Sequence, residues 1–213
     1  MLEILKLSEK SSEEQVLLKA VDILKNGGLI AYPTETFYGL GADATCEKAV
    51  QKIFAAKGRD FRNPIALIIG KPEDLYPFVK DVPEAAKKLM AAFWPGALTI
   101  VFGASGEVSP LLTAGSGKIG LRLPAHPLAR KLARQLGKPL TATSANLSGA
   151  PDCAAAPDVV LQIGDRIDAI LDAGKTPGGL PSTIIDVTCH PPVILREGAV
   201  SLETIKTTLT LSD

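Results

Sequence analysis

An apolar run at residues 65–69, bounded by Pro64 and Gly70, constrains the fold more than any other stretch. A short apolar run between such breaker residues is typical of a buried strand. The segment just before it, residues 57–62, holds three cations against one acid. The sequence therefore predicts cations at the mouth of a buried strand, where they can donate charge-assisted hydrogen bonds to a phosphate. A solvated charge run in a loop is the alternative.

Short apolar runs alternate with helical segments along the chain. Helical spacing is clear at Val16, Ala20 and Leu24, and glycines at 27–28 end that segment. Because strands and helices alternate, the expected class is α/β, with a sheet covered by helices. No linker or repeat divides residues 1–213, so one domain is expected. The expected strands cover residues 2–7, 29–32, 65–69, 98–102, 119–123, 139–143, 168–171, 183–187 and 193–196.

Local signals predict where helices begin and where loops lie. Ser11 followed by Glu14 resembles a capping box, and Thr45 is expected to cap a helix that ends near residue 56. Two stretches rich in small residues, 33–41 and 103–118, are expected to be loops. Long loops in compact domains are often functional, so both become candidates for a site.

Composition argues against several classes of protein. Lys and Arg together number 23, as do Asp and Glu, and this zero formal charge argues against broad electrostatic coating of nucleic acid. No apolar run reaches the length of a membrane span, and the first residues lack a signal-peptide core. The three cysteines are far apart, as expected for reduced thiols in the cytoplasm. Only two histidines are present, which argues against a His-based metal site.

The common nucleotide and hydrolase motifs are absent from the sequence. Lys118 and Lys175 each follow a glycine but lack the first glycine of a P-loop. There is no Gly-x-Gly-x-x-Gly fingerprint after a strand, no Gly-x-Ser-x-Gly elbow, and no histidine in a polar strand-end motif. Polar loops nevertheless leave strand ends, where α/β sheets bind ligands. These loops cover residues 33–41, 57–64, 144–149 and 177–182.

Seven motifs in one order carry a family resemblance. They are YPTETFYGL at 32–40, KGR at 57–59, WPG at 94–96, LRLP at 121–124, SAN at 144–146, PSTIID at 181–186 and LREG at 195–198. From about residue 12 to residue 200, the sequence resembles the YrdC-like family, the threonylcarbamoyl-AMP synthases. The resemblance implies a single α/β domain in which a twisted mixed sheet is flanked by helices and bears a deep, positively lined cavity.

The resemblance also implies a reaction. ATP, L-threonine and bicarbonate or carbon dioxide would give threonylcarbamoyl-AMP and pyrophosphate. ATP is then a substrate, and Mg²⁺ is expected from ATP chemistry, although no protein ligand motif for a metal is identified. The product would feed threonylcarbamoyladenosine modification of tRNA in the cytoplasm. Downstream tRNA-modification proteins are the expected partners, direct RNA contact is an open alternative, and no membrane is expected.

The family's functional positions fall on eleven residues of this sequence. Turn formation is the alternative role for each hydroxyl, and a surface ion pair is the alternative role for each cation. The resemblance assigns catalysis and nucleotide binding to Lys57, Arg59, Ser144 and Asn146; threonine binding to Thr34, Thr36, Arg122 and Ser182; and further nucleotide contacts to Asn63, Lys118 and Arg196.

One departure from the family pattern concerns Ile68. Many longer members have a histidine at this position, near the threonine, so a histidine contact to the substrate is not expected here. Longer members also carry an additional C-terminal domain. This sequence ends at Asp213, so the expectation is the single-domain form.

Two rival functions stay open at this point. One is an RNA-binding module without ATP chemistry, against which the zero net charge and the lack of an RNP-type aromatic motif both count. The other is a divergent homologue that handles a different carbamoyl adenylate, as the hydrogenase-maturation carbamoyltransferases do. Those proteins carry extra domains that this length does not accommodate.

Overall fold

The computed structural model describes residues 2–6 and 12–210. Within them, the strands are β1 (Glu3–Lys6), β2 (Ile30–Tyr32), β3 (Gly39–Gly41), β4 (Ala66–Ile68), β5 (Leu98–Gly103), β6 (Lys118–Arg122), β7 (Leu140–Ser144), β8 (Ala169–Asp172), β9 (Thr183–Asp186) and β10 (Val193–Arg196). The helices are α1 (Glu13–Lys25), α2 (Glu47–Lys57), α3 (Glu84–Phe93), α4 (Pro110–Thr113), α5 (Pro127–Leu136), α6 (Ala156–Ile163) and α7 (Leu202–Thr210). Two 3₁₀ helices cover Pro72–Phe78 and Gly164–Arg166.

All the described strands belong to one mixed sheet. Their order across it is β1, β8, β2, β3, β7, β4, β6, β5, β9, β10. Parallel pairs such as β4 with β6 and β5 with β9 alternate with antiparallel pairs such as β4 with β7 and β5 with β6. The predicted α/β class is therefore confirmed, with a mixed sheet.

Helices cover both faces of this sheet. On one face, α1 and α5 pack together through buried side chains such as Ala20 and Leu132. The other face is covered by α2, α3, α4, α6 and α7, which bury Phe54, Leu89 and Val159 among others. Burial on both faces explains why the central strands read as apolar runs instead of alternating patterns.

The end of α2 sets the position of the basic segment. Gly58 adopts a left-handed conformation, with φ of 59°, and its N–H donates to Ala55 O. Glycine suits this position because it tolerates positive φ without a Cβ clash. The chain therefore leaves the helix directly after Lys57, whose side chain points inward and is 2% exposed.

The predicted helix caps need correction. The capping box of α1 is formed by Ser12 and Gln15, whose side chains bond reciprocally to each other's backbone N–H. Ser11, like Leu7 of the expected first strand, lies outside the described residues. The N-cap of α2 is Cys46, which makes no side-chain cap bond, and the Thr45 hydroxyl donates to Asp43 Oδ1 at 2.6 Å.

Both expected loops contain regular structure that the sequence did not signal. Residues 103–118 include α4, and residues 33–41 include β3. In β3 the glycines are required by the Tyr32 ring on the neighbouring strand. A Cβ at Gly39 would lie 2.8 Å from Tyr32 Cζ, and one at Gly41 would lie 2.7 Å from Tyr32 Cε1. Glycine usually weakens a strand, but here it allows the ring to approach the backbone.

Candidate active site

A cavity of about 230 Å³ collects side chains from strands across most of the sheet. Three guanidinium groups line it, together with a single carboxylate, that of Asp152. Ala66, Ile68 and Ala142 supply an apolar part of the wall. Seven of the eleven predicted residues line this cavity: Thr34, Thr36, Arg59, Arg122, Ser144, Ser182 and Arg196. The other four, which are absent from the lining, are Lys57, Asn63, Lys118 and Asn146.

Lys57 lies beneath the cavity and is fully engaged by protein atoms. Its ammonium donates to Ser144 O at 2.5 Å, Asn146 O at 2.7 Å and Asn146 Oδ1 at 2.9 Å. The Lys57 carbonyl also accepts from Ser148 N at 2.9 Å. An ammonium has three protons, so these three bonds use all of them. Lys57 therefore fixes the loop after β7.

That loop presents Ser144 to the cavity. Ser144 Oγ donates to Asn146 Oδ1 at 2.6 Å, and Asn146 Nδ2 donates to Ala150 O at 2.6 Å. Asn146 is 4% exposed, and both polar ends of its amide are occupied. The Ser144 oxygen, with its proton committed to Asn146, retains lone pairs that can accept a hydrogen bond from a ligand.

Arg59 leaves the end of α2 and crosses the mouth of the cavity. Its Nη2 donates to Pro64 O at 2.9 Å, and its Nε donates weakly to Asn63 O at 3.4 Å. These two contacts anchor the guanidinium on the residues that precede β4. Asn63 contributes its backbone carbonyl to this arrangement, while its side chain is exposed.

Arg122 is a buried cation at the end of β6. Its Nε donates to Gly96 O at 3.1 Å, and its Nη2 lies 2.8 Å from Glu35 Oε1 as an ion pair. This buried amino group forms no hydrogen bond of good geometry with the described residues. Leaving a buried charged donor unpaired is costly. An anionic ligand in the cavity would remove that cost.

The hydroxyls of the predicted threonine pocket form hydrogen bonds with other protein groups. Thr34 Oγ1 lies 3.0 Å from Thr36 Oγ1 and donates to Phe37 O at 2.7 Å. On the opposite wall, Ser182 Oγ lies 3.1 Å from Thr99 Oγ1. Turn formation, the alternative role for Thr34 and Thr36, is therefore compatible with a place in the lining.

Arg196 and Lys118 differ in their access to the cavity. Arg196 lines it and donates from Nη2 to Ser182 O at 2.8 Å. Lys118 pairs with Asp186 at 2.8 Å, and its side chain is 43% exposed. The Lys118 side chain therefore pairs with a buried carboxylate and lies outside the cavity lining.

Among the residues without a role in the sequence-based prediction are Glu35, which lies behind Arg122, and Thr99 and Asp152, which lie in the lining. Glu35 gave a usable signal, since it is an acid in a motif otherwise made of hydroxyls, glycines and aromatics. Thr99 lies in an apolar run, and Asp152 follows a polar loop without any pattern around it. Only the folded chain brings these two into the wall.

Neither a metal cluster nor a membrane span is found in the part of the chain that the structure describes. No group of three or more His, Cys, Asp or Glu side chains could hold a metal ion there. No described helix is long and apolar enough to cross a membrane.

A sequence profile of the Sua5/YciO/YrdC family, described as "Telomere recombination", matches residues 22–198. This chain belongs to the Sua5/YciO/YrdC family. Among members of that family, it is 43% identical over 194 residues to the threonylcarbamoyl-AMP synthase of Pyrococcus abyssi, with 91% of this chain and 57% of that protein covered. Identity to the threonylcarbamoyl-AMP synthase of Bacillus subtilis is 41% over 199 residues, covering 93% and 58% of the two proteins.

The fold agrees closely with a solved structure from the Sua5/YciO/YrdC family. The structure of P. abyssi Sua5 complexed with L-threonine superposes with a TM-score of 0.92 at 40% identity, covering 99% of this chain and 61% of that one. The chain thus spans less than two thirds of the length of these three family members.

Proposed function

We propose that the cavity makes threonylcarbamoyl-AMP and pyrophosphate from ATP, L-threonine and bicarbonate or carbon dioxide. The convergence of three guanidinium groups on one cavity carries the proposal, because the substrates bring a triphosphate and the threonine carboxylate, and the carbamate adds a further negative charge. The names of the P. abyssi and B. subtilis relatives support it, as does the threonine complex of P. abyssi Sua5. Mg²⁺ enters as part of the ATP substrate.

The reaction needs alignment and positive charge, and no protein nucleophile. The threonine amine forms a C–N bond to carbon dioxide and loses a proton, which gives a carbamate. A carbamate oxygen then forms a bond to the α-phosphorus of ATP, and the bond to the pyrophosphate oxygen breaks. Two anions must approach each other, so preorganised donors at the reacting centre provide most of the catalysis.

The residues of the cavity divide between the two substrates in this proposal. Arg59 and Arg196 face the phosphates, and the oxygen of Ser144 accepts a hydrogen bond from the nucleotide. Arg122 binds the threonine carboxylate, which accepts from its unpaired Nη2. Lys57 and Asn146 act indirectly, because their polar atoms are committed to holding the loop that carries Ser144.

The remaining predicted residues take smaller roles. Thr34, Thr36 and Ser182 form the hydroxyl wall of the amino-acid pocket. Asn63 contributes through its backbone to the orientation of Arg59. In the cell, the product would pass to tRNA-modification proteins in the cytoplasm. This step follows from the chemistry of the adenylate, which is an activated carbamoyl donor.

An isotope experiment tests the reaction. The purified chain is incubated with ATP, threonine and ¹³C-bicarbonate, and the adenylate is identified by mass spectrometry. We expect a labelled threonylcarbamoyl-AMP that appears only when all three substrates are present, and a rate about 10²–10³-fold lower for Arg59→Ala. Formation of a carbamoyl adenylate from carbamoyl phosphate and ATP without threonine, or RNA binding without any adenylate, would replace this function with one of its rivals.

A further inference from the structure

We propose that Glu35 is a positioning residue, which fixes the plane of the Arg122 guanidinium so that its unpaired amino group meets the carboxylate of the amino-acid substrate. The inference rests on the proposed function, since it concerns how Arg122 selects that substrate. No part of the reaction requires Glu35 to touch the substrate itself.

Two anchors determine where the Arg122 guanidinium lies. Gly96 O accepts from Nε at 3.1 Å, and Glu35 Oε1 lies 2.8 Å from Nη2. A single anchor at Nε would leave the flexible side chain free to tilt about that contact. The second anchor, on the far end of the planar group, removes that freedom.

Glu35 can serve as an anchor because the protein holds it independently of Arg122. Its Oε1 accepts from Ala125 N at 2.9 Å, and its Oε2 accepts from His126 N at 3.3 Å. Both N–H groups precede α5, where the helix dipole favours a negative charge. Burial opposes ionisation, but the charge of Arg122 and the bond from Ala125 N outweigh it and lower the pKa of Glu35. The anchor is thus a carboxylate at physiological pH.

The ion pair with Glu35 does not consume the donor that the substrate needs. Nη2 lies 2.8 Å from Glu35 Oε1 but forms no hydrogen bond of good geometry with it. The carboxylate therefore restrains the amino group by charge and leaves its protons available for an incoming acceptor. This distinguishes Glu35 from an ordinary structural partner, which would satisfy the donor.

The test is Glu35→Gln, which keeps the shape of the side chain and removes its charge. We expect the KM for threonine to rise about tenfold. The KM for ATP and the kcat at saturating threonine should change by less than about twofold. Threonine binding measured by calorimetry without ATP should weaken to the same extent as the KM rises.

Two further variants make the outcomes distinguishable. Asp43→Asn removes another buried acid, which is paired with Lys138 at 3.2 Å and lies outside the cavity lining, and it should leave both KM values unchanged. Arg122→Lys should weaken threonine binding. In the Arg122→Lys protein, the second change Glu35→Gln should weaken threonine binding little further. Weaker threonine binding in Arg122→Lys with no effect of Glu35→Gln would overturn the positioning role alone. Equal loss of ATP and threonine binding in Glu35→Gln, with a lower Tm, would also overturn it.

No effect of Arg122→Lys on threonine binding would instead remove Arg122 from the proposed function. Labelled threonylcarbamoyl-AMP formation by the natural chain would still test that function separately. Failure of the Glu35 inference and failure of the proposed function therefore give different results.

Discussion

Lys57 and Arg122 are both buried cations at the cavity, but they differ in what their protons do. All three protons of Lys57 are donated to oxygens of the loop at residues 144–146. Arg122 donates from Nε to Gly96 O and keeps a buried Nη2 that makes no hydrogen bond to the described residues. The hydrogen-bond donors of Lys57 are all used without a ligand, whereas those of Arg122 are not.

The difference shows that burial and charge alone do not identify a ligand-binding cation. The deciding quantity is the number of donors that the fold leaves unused, because a buried donor without a partner carries a free-energy cost that a ligand can remove. By this criterion, we propose that Arg122 contacts a substrate directly and that Lys57 acts through the loop that it fixes.

Replacing each cation by methionine should produce the largest and most contrasting effects. Lys57→Met removes the donor to the Ser144 and Asn146 carbonyls, whereas Asn146 Oδ1 keeps its bond from Ser144 Oγ, so we expect a loss of about 3 kcal/mol in the free energy of unfolding. Arg122→Met should keep most of the stability, because two backbone N–H groups still hold Glu35, but should lower kcat/KM for threonine roughly 100-fold. Urea unfolding and steady-state kinetics on the same samples measure both effects.

The reverse pattern would break the comparison. An Arg122→Met protein that unfolds much more easily but still saturates with threonine normally would make Arg122 the structural cation. A fully stable Lys57→Met protein with a selective loss of ATP binding would show that the ammonium leaves its loop partners to contact phosphate.

The pH dependence of stability sharpens the comparison further. Burial, followed by the charge of Arg59, lowers the pKa of Lys57 from 10.5 to about 8. Between pH 8 and pH 10.5, the unfolded chain then binds a proton that the folded chain has released. The unfolding free energy of the natural chain should therefore rise relative to that of Lys57→Met across this window, and this contribution should disappear as the pH falls through about 8. Urea unfolding of both proteins from pH 7 to pH 10 tests this, and a constant difference would contradict it.

Replacing Lys118 should have the smallest effect. Its side chain is the exposed counterpart of the two buried cations, Lys57 and Arg122. This side chain is 43% exposed, and Asp186, which is 7% exposed, keeps two hydrogen bonds from Thr188 without it. We expect Lys118→Ala to change the KM for ATP by no more than about twofold and to lower the free energy of unfolding by about 1 kcal/mol. A large rise in the KM for ATP would mean that this side chain reaches the nucleotide.

The sequence predicted the fold class well because its signals are local and repeated. Apolar runs bounded by glycine or proline marked the buried strands, and the glycines at 27–28 marked the end of α1. The strand at Gly39–Gly41 was missed, because its glycines are explained only by the Tyr32 ring on another strand. The Ser11 prediction missed the cap by one residue, since neighbouring serines offer equivalent signals.

For the candidate site, the family motifs identified residues that come together, but not how each is used. Seven of the eleven line the cavity, a convergence that no local pattern could establish. The sequence could not reveal that the protons of Lys57 are already committed, because its acceptors are mostly backbone carbonyls nearly ninety positions away. Glu35 was overlooked for the same reason, since its importance depends on Arg122 and on the start of α5.

The contact between Tyr32 and β3 has a consequence for how this cavity can vary. Tyr32 and Gly39 both line the cavity, and the Tyr32 hydroxyl donates to Thr141 O at 3.0 Å. A side chain at Gly39 would displace the ring and break that bond. The pocket therefore cannot be reshaped at position 39 alone, and a chain that exchanges the tyrosine for a smaller residue could accept a side chain at the glycine in the same step. The residues at positions 32 and 39 should therefore covary among related sequences.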